Sequence, residues 1–148
     1  MATFTSAAMA KSPKLTHTGV TTVSGSVSSG ATAGGSAVDT YQLCKIPSGA
    51  TITGVTFDHT SGSATCVFDY GILHASNTAQ SNASAFATNV AKATVTRQTK
   101  PGILPLTVSS TDGAADNARY AIVQAVAVSG TTTTSVQVNF IVNYTMDP

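Results

Sequence analysis

SAVDTYQLCKIPSGATITGVTFDHTSGSATCVFDYGIL, residues Ser36 to Leu73, decides the fold. It reads as three β-strands in succession, separated by a Pro-Ser-Gly turn and a His-Thr-Ser-Gly-Ser turn. In the third strand Cys66, Phe68, Tyr70 and Ile72 fall on one face, and Thr65, Val67, Asp69 and Gly71 on the other. Side chains alternate across a strand, so one face is apolar enough to bury. In the first strand Tyr41 and Leu43 oppose Gln42 and Cys44, flanked by Val38 and Ile46. In the middle strand Ile52 and Val55 stand three apart, which breaks a period of two. A bulge at Gly54, between them, returns both side chains to the core. Pro47 and Gly49 supply the turn after a strand that cannot continue through proline.

The rest of the chain repeats this vocabulary. Val20 to Ser28 alternates loosely and predicts a first strand, followed by a Gly/Ser/Ala-rich loop from Ser28 to Ala37. Ala75 to Ala93 reads mostly as loop, with Phe86 and Val90 at i, i+4 pinning one helical turn across the open end of a sandwich. Thr94 to Gln98 predicts a short strand. Thr99 to Pro105 (TKPGILP) predicts irregular chain with Ile103 and Leu104 turned inward, and Leu106 to Ser109 resumes as strand. Thr111 to Ala118 is a polar turn. In Arg119 to Val128 both faces are apolar, the mark of a central strand. In Ser135 to Tyr144, Val136, Val138, Phe140, Val142 and Tyr144 form a core face opposite Gln137, Asn139, Ile141 and Asn143, with Ser129 to Thr134 as the hairpin loop before them.

Composition agrees. At 148 residues the chain fits one domain, a size that buries about 70% of its unfolded surface. Apolar residues are 42% but charged ones only 9%, against about 25% in ordinary soluble domains. Thr and Val favour strands, while Glu is absent and the helix formers Gln, Lys and Leu are scarce. The expected fold is all-β: an antiparallel β-sandwich or jelly roll of about eight strands. Residues 20–148 form that single domain, and residues 1–19 precede it as an extended N-terminal arm. In the arm Phe4, Met9 and Leu15 are isolated hydrophobes and Pro13 bars a long helix. They suit either a tail or a segment that orders against a neighbour. Phe4, Met9 and Leu15 are the candidate partner contacts.

Most chemistries fail on the residues present. His17, His59 and His74 lack metal-ligand spacing, there is no CxxC, and no GxSxG elbow appears. Asp58-His59 and Asp69 with His74 do not assemble a triad with Cys44 or Cys66, since Cys66 shares a core face with Phe68. Six Asp and no Glu offer no positioned carboxylate pair, and Asp112 and Asp116 share a turn without the DxDxDG pattern of a calcium loop. No catalytic residue, metal or cofactor is expected. Net charge is +1, and the scattered Lys11, Lys14, Lys92, Arg97 and Lys100 make no phosphate-binding stripe, so nucleic acid is not the expected partner. No run approaches the roughly 20 apolar residues of a membrane span. Nor does MATFTSAAMAKSPK read as a secretory signal, which predicts free thiols at Cys44 and Cys66 in a reducing compartment. A hydroxyl-rich, nearly neutral surface suits packing beside copies of itself or a partner. It also suits a secreted bacterial β-domain.

The run Ile46-Pro47-Ser48-Gly49-Ala50, the strand Thr51 to Phe57 and the ending Asp69-Tyr70-Gly71 resemble a strand-turn-strand pattern of virion structural proteins of tailed bacteriophages. The whole profile is similar to their small capsid cement, or decoration, proteins of jelly-roll type. That resemblance implies a non-enzymatic protein bound in many copies to the outer surface of an icosahedral capsid, assembled in the host cytoplasm. It implies the phage major capsid protein as partner, bridging between its subunits, and self-association as a dimer or trimer at a lattice axis. The alternative is a receptor- or glycan-binding module of a phage fibre or bacterial adhesin. Exposed loop aromatics would favour it, whereas the aromatics here fall mostly on strand faces.

Overall fold

Two β-sheets face each other across an apolar layer in the computed structural model, which describes residues 2–11, 19–29, 39–47, 50–60, 67–73, 82–91, 96–105, 120–129 and 136–146. In chain order the elements are β1 (Thr3–Thr5), a one-turn 3-10 helix (Ala7–Ala10), β2 (Thr21–Ser28), β3 (Thr40–Pro47), β4 (Ala50–Thr60) and β5 (Val67–Leu73). There follow β6 (Asn82–Ala91), β7 (Thr96–Pro105), β8 (Tyr120–Ser129) and β9 (Gln137–Met146). One sheet has the order β1-β3-β8-β5-β6 and the other β2-β9-β4-β7. Setting β1 aside, β2 pairs with β9, β3 with β8, β4 with β7 and β5 with β6, all antiparallel. Eight strands nested in this way, as one doubled hairpin wrapped over two sheets, make the expected jelly roll.

The register follows from the side chains. Both ladders of β4 slip between Ile52 and Gly54; against β9 the extra residue is Thr53, and Ile52 and Val55 are both buried. The broken period had signalled this bulge. A second bulge corrects the reading of β3. Its ladder with β8 slips between Gln42 and Cys44, and Tyr41, Leu43, Cys44 and Ile46 are all fully buried. Cys44 therefore shares the core with Leu43 instead of opposing it. In β5 the alternation holds: Phe68, Tyr70 and Ile72 are buried between half-buried Val67, Asp69 and Leu73. The central position of β8 also holds, with Val123, Ala125 and Ala127 fully buried on one face and Ile122 and Gln124 buried on the other. The core face of β9 is Val136 to Tyr144, as its alternation required.

Three expectations are corrected. Residues 82–91 form strand β6, not a loop with a helical turn. The i, i+4 spacing of Phe86 and Val90 fits a strand as well as a helix, because four is an even number of strand steps. Both side chains are buried in the sandwich. Residues 99–105 are likewise strand, within β7, although they hold Pro101 and Pro105. β7 is the outermost strand of its sheet, the place where proline is tolerated because alternate N–H groups there face away from the ladder. Finally, β8 and β9 lie in different sheets, so they do not form a hairpin. Leu106 to Ser109, Thr111 to Ala118, Val38 and Cys66 lie outside the described residues.

Candidate interaction surface

The first described residues are held on the chain's own sheet. β1 runs parallel to β3, with Thr3, Phe4 and Thr5 opposite Thr40, Tyr41 and Gln42. The Ala2 N–H donates to Asp39 Oδ1 at 2.6 Å, and the Thr40 N–H returns a bond to the Ala2 carbonyl at 2.9 Å. Beyond the strand, the Ser6 N–H donates to the Gln42 carbonyl at 3.0 Å and its hydroxyl donates to the Leu43 carbonyl. The same Ser6 oxygen accepts the Ala8 N–H at 3.2 Å and so caps the 3-10 helix. Buried Ser6 is thus the rivet of the segment. The sequence carried a sign of it: a serine directly before the small helix formers Ala7-Ala8-Met9-Ala10.

Phe4 joins an aromatic chain through the core. Its ring stacks on Tyr41 at 4.9 Å, and Tyr41 meets Phe68 edge-on at 5.7 Å. Phe68 lies 5.0 Å from His59, and Tyr70 stacks on Phe57 at 4.5 Å, with Phe86 beyond at 5.8 Å. Of the candidate contacts, Phe4 is therefore half-buried against its own domain, and Met9 is half-exposed on the 3-10 helix. Leu15 lies outside the described residues. Gly19, where the segment meets the domain, has φ +84°, a left-handed conformation that favours glycine. Beside it Val20 is 62% exposed.

The polar groups of the core are structural. His59 is fully buried, and its Nδ1 shares a hydrogen bond with the Tyr70 hydroxyl across the two sheets. Cys44 is a free thiol, fully buried, and desolvation pushes its pKa up to about 12. A thiol held neutral in this way is no nucleophile. Among the described residues no group of His, Cys and Asp is placed to hold a metal ion. Nor is any helix there long and apolar enough to cross a membrane.

Outside, the β2–β9 half of the four-stranded sheet presents hydroxyls and amides. Thr22, Ser24, Ser26 and Ser28 of β2 lie opposite Asn143, Ile141, Asn139 and Gln137 of β9. Thr22 Oγ1 donates to Asn143 Oδ1 at 2.7 Å, and Gln137 Nε2 to Asn139 Oδ1 at 2.9 Å. Ile141, 44% exposed, is the large apolar residue of this face. Such a surface brings little charge repulsion to a close neighbour.

No protein-family model and no curated protein sequence matches the chain. Solved structures do. A chain of the capsid of Ralstonia phage GP4 superposes with a TM-score of 0.57 at 16% identity, covering 99% of this chain and 99% of that one. A chain of the cyanophage Pam1 capsid asymmetric unit superposes with a TM-score of 0.52 at 21% identity, covering 86% of this chain and 84% of that one. At these identities the likeness is one of fold: the jelly roll described above is a fold found in two phage capsids.

Proposed function

We propose that the chain is a non-enzymatic virion structural protein. It binds the outer surface of an icosahedral phage capsid and stabilises the shell by bridging major capsid protein subunits. The observation that carries this reading is the end-to-end likeness of fold to a chain of the Ralstonia phage GP4 capsid. Two properties of the molecule support it. The sheet face built on β2 and β9 is nearly uncharged and hydroxyl-rich, which suits dense packing. Phe4, Tyr41, Phe57, Phe68, Tyr70, Phe86, Phe140 and Tyr144 are buried or packed against the core, so none of these eight is set out as a stacking platform for a glycan.

In this role Phe4 anchors the N-terminal segment, and Met9 and Leu15, farther along, contact a neighbouring subunit. Residues 20–148 are the bound domain, and the copies self-associate as a dimer or trimer at a lattice axis. Contacts that exist only in the assembled shell stabilise it by mass action. The test is heat stability of phage heads that lack the protein. Adding the purified chain raises the temperature at which they release DNA, and a chain without residues 1–19 raises it less. An unchanged release temperature with the full chain would sink the proposal.

A further inference from the structure

Four strands end the two sheets, and three of them are protected against pairing with another chain. β1 is three residues long. β6 slips register twice against β5. β7 carries Arg97, Lys100, Pro101 and Pro105 and slips against β4. Short length, charge, proline and bulges are the usual devices that blunt a sheet edge. β2 has none of these four, although the 3-10 helix packs beside it. It pairs with β9 through eight consecutive positions without a slip, contains no charge and no proline, and has β9 as its one hydrogen-bonded neighbour among the described strands.

The sequence of this edge is also a palindrome. Val23-Ser24-Gly25-Ser26-Val27 reads the same in both directions. We infer that β2 is a homodimer edge: two copies of this chain join antiparallel about a two-fold axis through Gly25, merging two four-stranded sheets into one. A two-fold contact must be self-complementary, with residue i meeting j and j meeting i. Centred on Gly25, the pairing sets Ser24 against the partner's Ser26 on the outer face. On the inner face it sets half-buried Val23 against the partner's Val27, which is 4% exposed in its own copy. The centre has a reason to be glycine. A Cβ at position 25 would stand 3.2 Å from Cζ of Phe140, whose ring covers that position. This interface gives a location to the self-association in the proposed function, but it needs no capsid, so the two fail separately.

The register supplies the test, by sedimentation equilibrium of the full chain and two double variants. Both substituted positions are exposed, and circular dichroism verifies that each variant is folded. The wild-type chain dimerises. In S24K/S26K two like-charged pairs face each other across the axis, which weakens dimerisation about tenfold or more. In S24K/S26D each Lys faces an Asp, and dimerisation returns to at least the wild-type strength. A monomeric wild type at every concentration overturns the proposal. So does a dimer indifferent to S24K/S26K, or an S24K/S26D variant as weak as S24K/S26K.

Discussion

Cys44 shows how one residue's neighbourhood sets its chemistry. It sits at a bulge in β3 that turns it into the core, where desolvation pushes its pKa from an ordinary 9.0 up to about 12. In the unfolded chain the thiol ionises near 9.0, whereas in the folded chain it keeps its proton to about 12. Between those two values the unfolded state binds fewer protons than the native one, so stability falls as pH rises. The loss approaches about 1.4 kcal/mol per pH unit for one such group. Urea unfolding of wild type and Cys44→Ala across that alkaline range gives the difference. The account predicts a steeper decline in the wild type, and parallel declines would contradict it. The sequence marked Cys44 as a free thiol but placed it on the wrong face, because a bulge at Leu43 leaves no trace such as the glycine in β4. His59 was legible only as a histidine without a metal set. Its bond to Tyr70 joins β4 to β5, residues eleven apart in the chain but in opposite sheets, and no local pattern encodes that.

At the scale of elements, β1 and the 3-10 helix act as a clasp on strand β3. Ser6 and Phe4 fasten it, and the Thr40 amide, bonded to the Ala2 carbonyl, reports whether it is closed. Phe4→Ala removes the aromatic stack and part of the buried ring, a loss of about 1–2 kcal/mol local to the clasp. Hydrogen exchange is expected to quicken at the Thr40 amide while the Val123 and Ala125 amides of central β8 stay protected. Uniform quickening would show that the clasp is part of the global core. Strands β5, β8 and β9 were readable because each carries a strong period of two or two apolar faces, and β3 and β4 because apolar residues recur between turn signals despite a bulge in each. β6 was not: its Ala, Ser and Asn offer little apolar contrast, and Phe86 and Val90 suit either period. β7 was obscured by two prolines, which are tolerated because the strand lies at an edge. Pairing partners were beyond local reading throughout, since consecutive strands mostly alternate between sheets.

For the whole molecule, an all-β chain poor in charge and rich in Thr, Ser and Ala folds as a jelly roll with a clasped N-terminal segment. Eight of its nine aromatics are buried or packed against the core. The fold class was legible because composition, alternation and turn chemistry all pointed one way. The candidate interaction surface was less so: three spaced hydrophobes indicated the N-terminal segment, but the fastening by Ser6 and the edge position of β2 among the described strands emerge only from the assembled sheets. The central claim is capsid binding, and cosedimentation of the purified chain with expanded phage capsids that lack it tests this directly. The account predicts saturable binding at a fixed ratio to the major capsid protein. Failure to bind capsids, with binding instead to host cells or glycans, would contradict it and make the chain a receptor-binding module.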